Sequence, residues 1–159
     1  MKYFAYGSNL VTQRLTARVG QIRLLGTSQL GGWNLTFGKL GGDNSGKCTL
    51  IRDVSRTTYG AVYEIKKSQQ LLLDAFEKGY DTITINLPEF GKCFTYVANS
   101  NTLNTTLFPY DWYKLLVLKG AKIHNFPKSY VCYIDSFADR IDTDSDRASQ
   151  NLEIFNKDL

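Results

Sequence analysis

Between residues 22 and 98 the chain sets its apolar residues mostly in strand-like runs joined by short links, and its helical patterns gather afterwards. That order limits the possible folds more than any other feature. Ile22 to Leu25, Leu30 to Phe37, Cys48 to Arg52 and Thr57 to Ile65 read as strands. Glycines at 26, 31 and 32 separate the first two, a polar glycine-rich loop covers 38–47, and Val54-Ser55-Arg56 links the last two like a hairpin. Thr82-Ile83-Thr84-Ile85 alternates with period two inside a strand from Asp81 to Leu87, and Pro88 turns the chain toward another from Lys92 to Ala98. One helix interrupts this series: Ser68 can cap a run over 69–77 that stops at Gly79. Helical spacing then covers 110–119 and 127–137, and an acidic turn at 142–146 leads to a last amphipathic helix ending near Asn156. The layout is α+β, with a strongly curled sheet or barrel rather than a doubly wound parallel sheet. With no repeat and no dividing linker, residues 1–159 are expected to form one domain.

Composition excludes several classes. A chain that is 43% hydrophobic and 21% charged fits a soluble globular protein. The net charge of +4 is spread over isolated bases and pairs such as Lys66-Lys67, without the stripe of a nucleic-acid binder, so no nucleic-acid partner is expected. No stretch approaches the ~18 apolar residues of a membrane span, so no membrane partner is expected either. Three widely spaced cysteines, Cys48, Cys93 and Cys132, lie in apolar or strand-like contexts and read as reduced core residues of a cytoplasmic protein.

The first ten residues, MKYFAYGSNL, hold the strongest local signal. Lys2 to Tyr6 reads as a strand, Gly7 breaks it, and Ser8 and Asn9 suit the start of a helix over Asn9 to Arg18. Such a strand-turn-helix corner aims free backbone N–H groups and a helix N-terminus at one spot, which makes an anion site. Two other look-alikes fail on their own terms. Gly41 to Lys47 has the spacing of a phosphate loop, but Cys48 replaces the hydroxyl residue and a strand follows in place of a helix. Asp142, Asp144, Asp146 and Glu153 mimic a calcium loop, but Arg147 stands where its glycine must be.

Nucleophilic and metal chemistry are poorly supplied, with a lone His124, no serine elbow and too few ligands for zinc. No metal is expected. Among the carboxylates Glu77 stands out, in the last turn of a helix carrying Leu71, Leu72, Leu73 and Phe76. Apolar surroundings and the negative helix end would both raise its pKa toward that of a general base, and Asp74 could add like-charge repulsion.

These segments resemble the γ-glutamylcyclotransferase family. YFAYGSNL is followed by TYGAVYEI, LLLDAFEKG, FTYVAN, YKLLVLKGA and FPKSY, in the family's order and to about Phe137. The resemblance implies a small mixed β-barrel or curled sheet flanked by helices, and conversion of a small-molecule γ-glutamyl substrate into 5-oxoproline and a free amine without a cofactor. It places the family's catalytic glutamate on Glu77 and its substrate-binding loop on Tyr3, Phe4, Ala5, Tyr6, Gly7 and Ser8. Asn9 completes the turn, Tyr113 takes the place of the pocket tyrosine, and Tyr80, Tyr96 and Tyr130 match more loosely. The family usually has glycine directly after the glutamate; here Lys78 intervenes before Gly79. That insertion keeps open an alternative, a catalytically silent relative that binds a small ligand through the same pocket. The chemistry agrees with the residues: the substrate's own α-amine is the nucleophile, so the chain needs only a proton carrier and anion donors.

Overall fold

The computed structural model describes residues 1–155. Strands β1 (Lys2–Ala5), β2 (Arg23–Leu40), β3 (Gly46–Glu64), β4 (Tyr80–Leu87) and β5 (Gly91–Ala98) form one mixed sheet in the order β2-β3-β1-β5-β4. Helices α1 (Thr12–Val19), α2 (Lys67–Phe76), α3 (Asp111–Ile123), α4 (Lys128–Asp135) and α5 (Ser145–Leu152) flank it, giving the α+β class expected. The short β1 is central. It runs antiparallel to β3, from Lys2↔Glu64 to Ala5↔Ala61, and parallel to β5 through Tyr3↔Phe94.

The four strands expected between residues 22 and 65 are two long ones. β2 and β3 pair from Arg23↔Glu64 to Leu40↔Gly46, with register slips at Leu24/Gly26, Gly31/Trp33 and Thr36/Lys39. At the middle slip Gly31 faces Thr57 while Trp33 faces Arg52. Residues 53–56 are therefore a bulge, not a hairpin, and both halves of β3 pair with the same β2. Bulges bend a ribbon, and its far half returns to the other side of the sheet. Ala98 N–H donates to Thr49 Oγ1 at 2.8 Å, and the Tyr80 hydroxyl donates to the Cys48 carbonyl at 2.7 Å. The sheet stays open, with β2 and β4 as its edges, so it is the curled sheet and not a closed barrel.

The core lies between sheet and helices. Leu15, Leu35, Ile65, Leu73, Leu116 and Ile134 are all fully buried. Leu10 is too, and such burial contributes about 2 kcal/mol for a leucine. A Cβ at Gly120 would stand 2.4 Å from that of Leu10, so only glycine lets α3 touch the turn after β1. On α4 the buried residues are Tyr130 and Ile134, four apart, which leaves Cys132 on the exposed face against expectation. Cys48 and Cys93 are buried thiols. Residues 142–146 form the charged inter-helix turn: Asp144 caps α5 by accepting from Arg147 N–H at 2.9 Å, and Asp142 accepts from the same residue's guanidinium. A 3-10 turn, Glu153–Phe155, follows α5. Asn156, where the sequence ends the last helix, lies outside the described residues. Among the described residues no helix is long and apolar enough to cross a membrane.

Candidate active site

Where β1 ends, the chain leaves the sheet in a 3-10 turn over Ser8–Leu10, and α1 begins only at Thr12. Ser8 and Asn9 make no side-chain cap; Gly7 and Val11 hold those positions. The turn closes through Leu10 N–H to Gly7 O at 3.0 Å and Val11 N–H to Ser8 O at 3.3 Å. Among the described residues no acceptor meets the N–H groups of Gly7, Ser8 or Asn9. The unpaired N–H groups thus belong to the turn itself rather than to the first turn of the helix. A Cβ at Gly7 would lie 2.9 Å from Cys48 Cβ and 3.6 Å from the Tyr113 hydroxyl. Glycine is needed there because Cys48 of β3 presses on the backbone.

Glu77 follows the last residue of α2, its N–H bonded to the Leu73 carbonyl at 3.1 Å. Asn9 Nδ2 donates to Glu77 Oε1 at 3.1 Å, and Arg18 Nη1 donates to the same oxygen at 3.2 Å. Oε2 has no hydrogen-bond partner among the described residues. The side chain is 13% exposed. Burial pushes its pKa above the ordinary carboxylate value, outweighing the opposing pull of Arg18, Asn9, Lys39 and Arg14. The direction matches the sequence reading and the cause differs. Leu71, Leu72 and Phe76 are exposed and only Leu73 is buried, so polar neighbours from β1, the turn and α1 enclose Glu77 instead of an apolar helix face. Asp74 is exposed and accepts from the Tyr96 hydroxyl at 2.5 Å, which ties it to β5.

A cavity of about 290 Å³ joins the turn to Glu77, and Tyr3, Tyr6, Gly7, Ser8, Asn9 and Tyr113 all line it. The Tyr3 hydroxyl accepts from Asn9 Nδ2 at 3.0 Å; that of Tyr6 donates to the Tyr96 carbonyl. The Tyr113 hydroxyl accepts from Cys48 N–H at 3.1 Å. Burial raises the pKa of Tyr3, Tyr6, Tyr80 and Tyr113, so all four stay neutral in ordinary buffers. Burial also pushes Cys48 up to about 12, which keeps it a thiol and a poor nucleophile. Phe4 and Ala5, by contrast, are fully buried in the core and off the cavity wall. Tyr80 and Tyr96 are on the wall, whereas Tyr130 packs on Tyr59 with ring centroids 4.9 Å apart and is not. Lys78 is exposed and off the wall as well.

The cavity's cations are the residues the sequence reading missed: Arg14, Arg18, Lys39, Lys47 and Arg147 all line it. One signal was available, since Arg14 and Arg18 fall four apart on α1 directly after the turn, away from buried Leu15 and Val19. Lys47 is anchored by Asp43 at 2.7 Å and sits over the Tyr113 and Trp112 rings at 4.6 and 4.9 Å. The phosphate-loop look-alike is thus the tip of the β2–β3 hairpin, held to α3. His124 is half-buried, and its Nε2 lies 2.8 Å from the Leu10 carbonyl.

Known proteins resemble this chain in sequence and in fold. The model of a family described as "Gamma-glutamyl cyclotransferase, AIG2-like" matches residues 3–115. Gamma-glutamylcyclotransferase of Homo sapiens is 30% identical over 138 residues, spanning 80% of this chain and 73% of its own. The protein of the same name from Bos taurus is 29% identical over 140 residues, with the same coverage. A solved structure of a gamma-glutamyl cyclotransferase superposes with a TM-score of 0.79 at 22% identity, covering 94% of this chain and 98% of its own. At that identity the likeness shows the fold.

Proposed function

We propose, from the premise that this chain belongs to the gamma-glutamyl cyclotransferase, AIG2-like family, that it cyclises a γ-glutamyl group to 5-oxoproline and releases the attached amine. The observation that carries the reading is Glu77: a buried carboxylate with both donors on Oε1 and a free Oε2, across one cavity from three unpaired amides.

The substrate binds with its α-nitrogen at Glu77 Oε2 and its γ-carbonyl oxygen toward the amides of Gly7, Ser8 and Asn9. Oε2 takes a proton from the α-ammonium. The freed amine attacks the γ-carbon, a C–N bond forms, and the carbonyl electrons move to oxygen, where the amides hold the oxyanion. As the oxyanion collapses, the bond to the departing nitrogen breaks and Glu77 returns the proton to it. The α-nitrogen gives up two protons in all and the leaving nitrogen gains two; Glu77 carries each in turn and ends as it began. Because the nucleophile is already part of the substrate, holding it folded supplies much of the rate. Tyr113 packs the cavity wall and keeps Cys48 in place behind Gly7.

Purified protein incubated with a panel of γ-glutamyl dipeptides and γ-glutamylamines should release 5-oxoproline. Absence of that product across the whole panel sinks the proposal.

A further inference from the structure

Lys39 stands near the end of β2 and is only 7% exposed, yet it lines the cavity. Among the described residues its ammonium has no carboxylate within 4 Å and no hydrogen-bond acceptor; its nearest notable neighbour is the Tyr80 ring, with Nζ 4.8 Å from the centroid. Its stem packs against Gly79, where a Cβ would lie 3.2 Å from Lys39 Cε. Three of the other lining cations have acids: Arg18 has Glu77, Lys47 has Asp43, and Arg147 has Asp142 and Asp144. Arg14 has none, but its Nη1 is tied to Asn151 at 2.9 Å. Lys39 is therefore a largely buried lysine at the cavity wall, whose ammonium has three donors and no protein group to receive them. Such a group is costly unless an anion arrives to pair with it.

We infer that Lys39 is a specificity-determining residue that binds a carboxylate on the leaving group, so that the preferred substrate releases an amino acid or peptide rather than a simple amine. The inference rests on the cyclotransferase reading above. In that reading the departing nitrogen comes to Glu77 for its proton. Lys39 acts on Glu77 through space without touching it, and packs on Gly79 and Tyr80, the turn that directly follows. In an α-amino acid the carboxylate hangs on the carbon next to that nitrogen, which brings it to the reach of Lys39. The glutamyl half already has its own donors in the Gly7–Asn9 amides, so this ammonium is left for the other half.

Two substrates with one skeleton test it: γ-glutamyl-alanine, and γ-glutamyl-ethylamide, which lacks only the carboxylate. The wild type should favour γ-glutamyl-alanine in kcat/KM by about tenfold or more, the worth of one charge-assisted hydrogen bond. Lys39→Met should bring that ratio to near one, chiefly by raising KM for γ-glutamyl-alanine, whatever loss the two substrates share. Lys39→Arg should keep the preference. A wild type that uses both substrates equally well, or a Lys39→Met variant that retains the full ratio, overturns the inference while leaving the cyclotransferase reading intact. Turnover of neither substrate, nor of any other γ-glutamyl compound, overturns that reading itself. The wild-type comparison needs no variant, so it decides even if Lys39→Met fails to fold.

Discussion

Two of the carboxylates that arginines grip, Asp142 and Glu77, are driven in opposite directions. Asp142 accepts from Arg147 Nε at 2.7 Å, from the Arg147 Nη2 group, from Trp112 Nε1 at 2.8 Å and from Asp144 N–H at 3.0 Å. Both its oxygens are occupied. The Arg147 guanidinium above all, then Asp144 N–H and Trp112, hold it well below the ordinary carboxylate range despite its burial. Glu77 receives two donors, both on Oε1, and burial moves it up. What separates a fastening carboxylate from a candidate proton carrier is the number of lone pairs left empty, not the presence of an arginine.

Replacing Glu77 by Gln should have the largest effect. The amide oxygen can still accept from Asn9 and Arg18, so the site keeps its shape while losing the base. We expect kcat to fall by about 10²–10⁴, the usual worth of a positioned acid–base group, with little change in KM. Stability should move the other way. A folded pKa above the unfolded one means that the contribution of Glu77 to stability is present below the unfolded pKa and is lost as pH rises through the folded value. At neutral pH the ionised, buried side chain is therefore unfavourable, and Glu77→Gln should melt at or above the wild type, with the gap closing in acid. Near wild-type turnover by this variant would remove Glu77 from the mechanism.

That contrast was half visible in the sequence. The strand, glycine turn and polar pair of Tyr3 to Asn9 could be read locally, because β-propensity and a chain break are local properties. Glu77 could be placed at a helix end for the same reason. The residues that shape its chemistry could not. Arg18 is 59 positions away in sequence and reaches Glu77 only because α1 and α2 pack together, and Lys39 enters from a strand that bends back at a bulge. The bulge reads in sequence as a link, since Val54-Ser55-Arg56 has turn-like composition, and Val54 is 99% exposed. The lock that Asp142 forms with Trp112 is a tertiary contact that spacing does not reveal.

The amide turn is the other half of the open site, and Gly7→Ala tests whether its donors must be free and in place. The added Cβ collides with Cys48 Cβ, so the turn or the strand must shift. A loss in kcat approaching the ~10²-fold that removal of one oxyanion donor causes is expected. Unchanged kinetics would show that the amides do not hold the reacting oxygen.

Arg18→Met should have a smaller effect that depends on pH. Arg18 favours the charged form of Glu77, as do Asn9, Lys39 and Arg14, while the nearby Tyr3 and Tyr6 are neutral. Without the guanidinium the Glu77 pKa rises further, so the acidic limb of the kcat/KM profile should shift to higher pH. The loss relative to wild type should be greatest in mild acid and shrink above it. A shift toward lower pH would contradict the ion pair.

Asp142→Asn should touch activity least and stability most visibly. The asparagine keeps one acceptor but turns an NH₂ toward donors on Arg147 or Trp112, breaking a lock that joins α3 to the start of α5. Because the folded pKa of Asp142 is depressed, its stabilising contribution is present above the unfolded carboxylate pKa and is lost as pH falls through the folded value. The variant should therefore melt below the wild type at neutral pH, and the difference should diminish only in strong acid as the wild type protonates. At 25 °C its kcat should stay within about threefold of wild type, the margin expected of a site away from the reacting atoms. If Asp142→Asn instead lost activity on the scale of Glu77→Gln with no change in melting, the division between a filled, structural carboxylate and an open, reactive one would not hold.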